Sequence, residues 1–187
     1  MAFSVETNYT INIMRSRVSF ILTVIITAVI TIALYRPVSV LVFKVTEPYY
    51  GFPVKAGAAG GRLVIRNDAL GDGDFGTKRS GGRSHSGIDI QAAVGTPVFA
   101  SKSGIAFCGN VPTGYGRYVM IYHPDGAQTM YGHLSNWAVG STQQVRKGEM
   151  VGYVGKTGNA KSSLMQAHLH FEIRKGGEPV APQPLMR

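Results

Sequence analysis

The chain of 187 residues contains one cysteine, Cys108, so it can form no disulfide within itself and offers no cysteine-based zinc ribbon. It has no internal repeat and no heptad pattern. The glycine-rich loop LGDGDFG, residues 70–76, lacks the ligand order and the distal glutamate of a calcium loop. These absences leave a small domain without covalent cross-links, in which Cys108 is a core residue.

Acidic residues are scarce. The chain contains 10 Asp and Glu and 19 Lys and Arg, which gives a formal net charge of +9. Such a balance favours anionic partners, among them nucleic acid, acidic lipid and an acidic wall polymer. General solubility is the simpler explanation, since the basic residues are scattered and form no single run.

The longest apolar run, VSFILTVIITAVITIALY, carries no charge, proline or glycine. At ~1.5 Å per residue it is just long enough to span a bilayer core as one helix. A cleaved signal peptide is the alternative, but its apolar core is about 7–15 residues long and this sequence has a poor cleavage site. We therefore predict an N-terminal tail over residues 1–17 and an uncleaved membrane anchor over residues 18–36, ended by Arg36 and Pro37. The flanking basic residues are balanced and do not fix the orientation of the anchor.

Residues 37–61 are predicted to form a membrane-proximal segment and a linker. VSVLVFKV, residues 38–45, has the β-branched character of a strand or continues the membrane-proximal segment. GFPVKAGAAGG, residues 51–61, consists mainly of small residues and is typical of a flexible linker.

Residues 62–187 form the predicted folded domain. Short runs rich in Val, Ile, Tyr and Phe are punctuated by glycine about every 8–12 residues, and no convincing amphipathic helix interrupts them. The pattern predicts an all-β fold, built as an antiparallel β-sheet or sandwich.

Two of the five histidines, His168 and His170, stand two residues apart in AHLHFEIR. In a strand they share one face with Glu172, while the apolar residues between them point to the other face. His85 and Asp89, in SHSGIDI, can converge on one ion if Gly87 turns the chain with a positive φ.

His85, Asp89 and one histidine of the pair would give a ligand set with an open position, which is typical of catalytic zinc. The histidine left over could then accept a proton from a bound water. Taken singly, each histidine is more typical of a surface or hydrogen-bonded residue. His133 shares a strand face with Tyr131, and His123 precedes a hairpin turn and is interpreted as structural.

Together these segments resemble the lysostaphin-type zinc peptidases, the murein endopeptidase family. The similarity covers about residues 83–175 and includes, in the order of the family, HxxxD, GTPV, GYG, YxHL, KGxxVGxVGxTG and HLHFE. The resemblance implies a barrel of duplicated-hybrid type, one zinc ion and peptidoglycan as the substrate.

Carried over by position, the resemblance makes His85, Asp89 and His170 the zinc ligands. It makes His168 and His133 the two catalytic histidines that do not bind the metal, which activate water and stabilise the tetrahedral intermediate. The sequence contains no HExxH helix, so the base is a histidine and not a glutamate.

The remaining candidates for the site are charged. Glu172 either orients an imidazole or forms a surface ion pair with a nearby basic residue. Some members of the family carry a tyrosine before the first ligand that stabilises the oxyanion. Here that segment reads RSGGR, which leaves Arg79 or Arg83 to supply the charge.

The resulting hypothesis is a zinc metalloendopeptidase that cleaves peptide bonds in peptidoglycan cross-links. A single span would hold it in the bacterial cytoplasmic membrane, with the catalytic domain in the periplasm or outside the cell. Peptidoglycan and the membrane are the expected partners, nucleic acid is not, and partner proteins of cell division or wall remodelling are left unspecified.

Two alternatives accompany this hypothesis. One is a non-catalytic relative that binds wall peptides or activates another hydrolase, although all five site positions are intact. The other is a biotinyl- or lipoyl-type carrier, because GTPVFASKSGIAF and KGEMVGYVG are similar to such domains. A carrier needs an attachment lysine beside methionine on a hairpin, and no Met-Lys pair lies between these segments.

Overall fold

The computed structural model describes residues 2–55 and 63–187, and it divides into two compact units, one ending at Thr46 and the other running from Glu47 to Arg187. The first unit is a single helix, α1 (Ala2–Thr46). By length and composition its stretch Asn12–Thr46 could cross a membrane, a criterion that a signal sequence near the N-terminus would also meet.

Helix α1 does not end at Arg36 and Pro37 as predicted but continues to Thr46, so residues 38–45 are helical and not a strand. Strand propensity is a weak preference, and a helix bonds its backbone groups internally without needing a partner strand. Threonine hydroxyls in α1 are also hydrogen-bonded within the helix. Those of Thr23 and Thr31 each donate to the carbonyl four residues earlier, at 2.9 and 2.8 Å.

The second unit is built from short strands, three 3-10 turns and loops. The 3-10 turns are Ser80–Gly82, Gly158–Lys161 and Gln183–Leu185. The strands are, in chain order, β1 (Asn67–Asp68), β2 (Gly71–Asp72), β3 (Ile88–Gln91), β4 (Pro97–Phe99), β5 (Gly104–Asn110), β6 (Arg117–Tyr122), β7 (Gln128–Gly132), β8 (Leu134–Trp137), β9 (Gln144–Val145), β10 (Met150–Val154), β11 (His168–Lys175) and β12 (Glu178–Val180).

The strands form one large antiparallel sheet and two smaller ones. The large sheet has the order β12-β11-β7-β6-β5-β9, and β3 pairs with β11. A second sheet has the order β4-β10-β8, and β1 pairs with β2. The predicted all-β, antiparallel fold after an N-terminal apolar helix is confirmed.

The core of this unit lies on one face of the large sheet. Leu169, Phe171 and Ile173 of β11 are fully buried in it, together with residues of the second sheet such as Val98 and Val151. Each such side chain contributes about 1.5–3 kcal/mol of burial free energy. Since side chains alternate along a strand, this burial fixes the intervening positions of β11 on the opposite face.

The segment 47–55 belongs to the β unit. The N–H of Gly51 donates to the carbonyl of Ser101 at 2.8 Å, and the N–H of Phe99 donates to the carbonyl of Pro53 at 2.7 Å. Tyr50 and Val54 are each only 3% exposed. The first part of the predicted linker 51–61 is therefore packed within the compact unit that runs from Glu47 to Arg187, and the rest of that linker lies outside the described residues.

Candidate metal centre and catalytic histidines

The pairing of β3 with β11 places His170 and Asp89 directly opposite each other. His85 lies three residues before the start of β3, and its ring lies 5.0 Å from the His170 ring, measured between centroids. Two motifs that are far apart in the sequence, HxxxD and HLH, therefore meet at one point.

Three atoms at this point can act as ligands: Nε2 of His85, Oδ1 of Asp89 and Nδ1 of His170. The His85 nitrogen lies 3.1 Å from both of the other atoms, which are 2.8 Å apart. In tetrahedral zinc with bonds of ~2.0–2.1 Å, ligand atoms lie ~3.3 Å apart. Among the described residues, these three side chains form the group that could hold a metal ion, and their donor types and spacing fit zinc.

Each of the three side chains has a second partner that fixes its orientation. The Nδ1 of His85 donates to the carbonyl of Asp74 at 2.9 Å. The Nε2 of His170 donates to Oε1 of Glu172 at 2.9 Å. In its neutral form each imidazole therefore keeps its proton on the nitrogen of that outer bond and directs the other nitrogen at the common point, as in metal sites whose histidines are oriented by outer hydrogen bonds.

The carboxylate of Asp89 is held by two arginines on the oxygen that faces away from the histidines. Oδ2 accepts from Arg66 at 3.1 Å and from Arg79 at 3.0 Å. Arg66 is 1% exposed and also pairs with Asp68 at 2.6 Å. Because these contacts occupy Oδ2, Asp89 presents a single oxygen, Oδ1, to the ligand set.

The electrostatics of the centre favour a bound cation. Burial alone would raise the pKa of Asp89, but its hydrogen bonds with His170 and His85 hold that pKa far below its usual range. Burial likewise opposes the charged form of His170, yet hydrogen bonds with Asp89 and Glu172 raise its pKa to about 9. A proton on Nδ1 of His170 therefore occupies the place where a metal ion would bind, so metal binding and protonation compete there.

His168 and His133 flank the ligand set with their rings 4.9 Å apart between centroids. His168 donates from Nδ1 to the carbonyl of Gln166 at 2.7 Å, and its Nε2 lies 3.8 Å from Oδ1 of Asp89. Burial lowers the pKa of both histidines, that of His133 to about 3, with the charge of His170 adding to the effect. Both rings are thus neutral, with an unprotonated nitrogen available at the centre.

Two loops hold His133 in an unusual backbone conformation. Its φ is 61°, a left-handed value that is energetically unfavourable for any residue other than glycine. Its N–H donates to the carbonyl of Tyr115 at 2.7 Å, and its Nδ1 donates to the carbonyl of Thr157 at 2.9 Å. The loops of Tyr115 and Thr157 touch through Gly116 and Gly158, where an added Cβ would lie within 2.4 Å of the opposite backbone. The sequence motifs GYG and VGxTG therefore position the histidine of YxHL.

Gly87 is required for the close approach of two chain segments, and not for the turn that was predicted. Its φ is not among the positive values, so it does not make the left-handed turn expected between His85 and Asp89. A Cβ at this position would lie 2.3 Å from the carbonyl oxygen of Phe171 and 2.8 Å from the side chain of Glu172. The glycine therefore allows the chain to pass close to β11.

The charged candidates Glu172, Arg79 and Arg83 differ in burial and in their contacts with the centre. Glu172 is fully buried, accepts from Nε2 of His170 and pairs with Arg174 at 2.7 Å, so its ion pair is not the surface pair that was the alternative. Burial would raise its pKa, but His170, Ser86 and Arg174 lower it to about 2. The Arg79 side chain is bonded to Asp89, and the Arg83 side chain is exposed while its carbonyl accepts from the N–H of Arg79 at 2.8 Å.

Sequence reasoning missed three residues that support the centre. Arg66 lies outside the motifs, and nothing in its local sequence indicates that it is buried against Asp89. Arg174 follows HLHFE on the same strand face, so alternation could have placed it beside Glu172. Tyr115 is the central residue of GYG, and its ring lies 5.5 Å from that of His170 between centroids.

The part of the chain that carries the centre is similar to known proteins. Residues 83–182 match the family description "Peptidase family M23". The DD-carboxypeptidase/endopeptidase Mpg of Neisseria meningitidis serogroup B is 44% identical over 100 residues, which are 54% of this chain and 22% of Mpg. The murein hydrolase activator NlpD of Salmonella typhimurium is 33% identical over 110 residues, which are 58% of this chain and 27% of NlpD.

A solved structure shows the same similarity in three dimensions. The crystal structure of a zinc-containing peptidase from Vibrio cholerae is 27% identical and aligns with a TM-score of 0.57, covering 73% of this chain and 40% of that one. The chain therefore spans about a quarter of the length of the two relatives and less than half of the solved structure.

Proposed function

The chain belongs to peptidase family M23, and from that membership we propose that it is a zinc-dependent endopeptidase that hydrolyses peptide bonds of peptidoglycan. The observation that carries this proposal is the complete set of five site residues. His85, Asp89 and His170 present three ligand atoms 2.8–3.1 Å apart, and His168 and His133 lie beside them.

In the proposed mechanism, one zinc ion would be held by His85 through Nε2, by Asp89 through Oδ1 and by His170 through Nδ1. Three protein ligands leave a position open for the reactants, as catalytic zinc requires. When bound, zinc would supply Lewis acidity toward water and toward the carbonyl of the scissile peptide bond.

His168 is the proposed general base. Its Nδ1–H is engaged by Gln166, so the unprotonated Nε2 faces the centre and can take a proton from the attacking water. His133 is held in the same tautomer by Thr157, so its Nε2 is likewise unprotonated and can accept a hydrogen bond from the attacking water. To stabilise the charge that develops on the tetrahedral intermediate, the role that the resemblance implies, His133 would first have to take up a proton on Nε2. The contact of Arg79 with Asp89 favours a role in holding that ligand over a direct role at the oxyanion.

We further propose that α1 anchors the chain in the bacterial cytoplasmic membrane, with the β unit in the periplasm or outside the cell. The support is the apolar stretch Asn12–Thr46, together with the location of the proposed substrate. A formal net charge of +9 suits a polymer that carries carboxylates.

A non-catalytic role as an activator of another hydrolase is the second candidate, and the similarity to NlpD favours it. An activator needs neither a metal nor catalytic histidines, whereas this chain retains the full set.

The deciding experiment incubates the detergent-solubilised chain, loaded with zinc, with purified peptidoglycan and identifies the soluble products by mass spectrometry. We expect released fragments with new peptide termini, and none after zinc is removed with a chelator. A zinc-loaded chain that releases nothing by itself but accelerates a separate wall hydrolase would contradict the proposal and support the activator. The masses of the products would also identify the bond that is cut.

A further inference from the structure

Tyr115 contacts both halves of the centre. Its carbonyl accepts the N–H of His133, and its ring packs at a tilt of 37° against the ring of His170. Its hydroxyl donates to Oε1 of Glu172 at 2.9 Å and accepts from Nη2 of Arg174 at 3.0 Å. Because the hydroxyl both donates and accepts a hydrogen bond, its direction is fixed.

The carboxylate that receives this hydroxyl is fully buried and completely bonded. Oε1 of Glu172 accepts from His170, Tyr115 and Ser86, and Oε2 accepts from Arg174. Each lost hydrogen bond destabilises a buried carboxylate, because water cannot replace the missing partner. The hydroxyl of Tyr115 therefore stabilises the anion that keeps the Nε2–H of His170 in place.

We propose that Tyr115 is a positioning residue for the metal, acting through Glu172 on the direction and basicity of Nδ1 of His170. This inference rests on the proposed function for the identity of the metal. Because the hydroxyl is engaged with Glu172, it does not take the place of the oxyanion tyrosine that is missing before His85. Tyr115 contacts the groups that hold a ligand, not the reacting atoms.

The test compares the zinc affinity of the full chain with that of two tyrosine variants, by competition with a fluorescent chelator. Tyr115→Phe keeps the ring and removes the hydroxyl, and we expect zinc binding to weaken by about 10-fold or more, as for other outer partners of ligands. Tyr118→Phe is the matched control, because Tyr118 lies next to Tyr115 and its ring covers Gly109. We expect this control to bind zinc as the unmodified chain does.

A second comparison separates positioning from general structural support. In a Glu172→Gln background, Tyr115→Phe should weaken zinc binding by less than about 3-fold, because groups that act through one another are not additive. Equal zinc affinity of Tyr115→Phe and the unmodified chain would overturn the inference, and so would an undiminished effect in the Glu172→Gln background. Zinc affinity is read without substrate, so a chain that binds zinc but releases no wall fragments would contradict only the proposed function.

Discussion

His170 and Asp89 are cross-strand partners whose ligand atoms lie 2.8 Å apart. Their register depends on the burial of Leu169 and Phe171 on the opposite face of β11, since a slip of one residue would turn both histidines of HLH into the core. The apolar core therefore sets the geometry of the proposed metal site.

The two histidines of HLH should respond differently to substitution. His170→Ala removes a proposed ligand, and we expect the zinc content to fall from one ion per chain to near zero together with activity. His168→Ala should retain the ion and lose turnover by about 10²–10⁴-fold, the usual contribution of a general base. Atomic absorption on dialysed protein and the fragment-release assay measure both quantities. Full zinc content in His170→Ala would refute the ligand assignment.

The difference between these histidines could be derived only in part from the sequence. Alternation predicted that His168 and His170 share a face with Glu172, because residues two apart in a strand do so in any sheet. The buried pair of Arg66 and Asp89 could not be predicted, since it joins residues with no common pattern. Nor could the packing of residues 47–55, because the segment forms no regular strand or helix and so has no periodicity that reports its contacts.

Substitution of Gly87 should disturb the centre although the residue binds nothing. In Gly87→Ala the new methyl group would collide with the carbonyl of Phe171, which must shift the chain that carries His85. We expect lower zinc affinity and a lower melting temperature. Gly140→Ala is the control, because the nearest heavy atom to its Cβ would be 4.0 Å away. Similar losses in the two variants would show that the close contact with β11 is unimportant.

The two arginines on Asp89 should differ in their effect on stability. Arg66→Met leaves Oδ2 of Asp89 with Arg79 alone and removes the arginine that pairs with Asp68, and breaking such a buried pair typically costs about 3–5 kcal/mol. Arg79→Met should cost much less, because the Arg79 side chain is 21% exposed and Arg66 remains in contact with the carboxylate. Urea unfolding of the zinc-free proteins gives both values, and an equal loss in both variants would contradict this ranking.

His123 should make the domain sensitive to acid. It donates from Nδ1 to the carbonyl of Ser103 at 2.9 Å, and its Nε2 lies 3.1 Å from the hydroxyl of Thr129. Burial lowers its pKa, and the carbonyl of Ser103 offsets this in part. The unfolded chain, with an ordinary pKa of ~6.5, therefore takes up the proton first, so the free energy of unfolding falls as the pH drops below that value.

The matched measurement uses His123→Gln, whose side chain does not titrate. Unfolding by urea between pH 7 and pH 5, with zinc removed from both proteins, should show a steeper loss of stability in the unmodified chain. His133 and His168 titrate in both proteins, so their contributions cancel in the comparison. The nearby charges of Asp125 and Lys102 also remain in both. Parallel pH profiles would contradict a buried neutral His123.

A chain that starts at residue 63 should be much less stable than one that starts at Glu47. The segment 47–55 contributes hydrogen bonds on two sides, because Gly51 bonds to Ser101 and the N–H of Tyr50 donates to the carbonyl of Leu185 at 3.0 Å. Tyr50 and Val54 bury side chains worth about 1.5–3 kcal/mol each, so the predicted loss is about 3–6 kcal/mol. Tyr50→Ala in the longer chain should reproduce part of that loss. If urea unfolding gives equal stabilities for the two chains, the segment is dispensable, as the linker prediction for residues 51–61 implies.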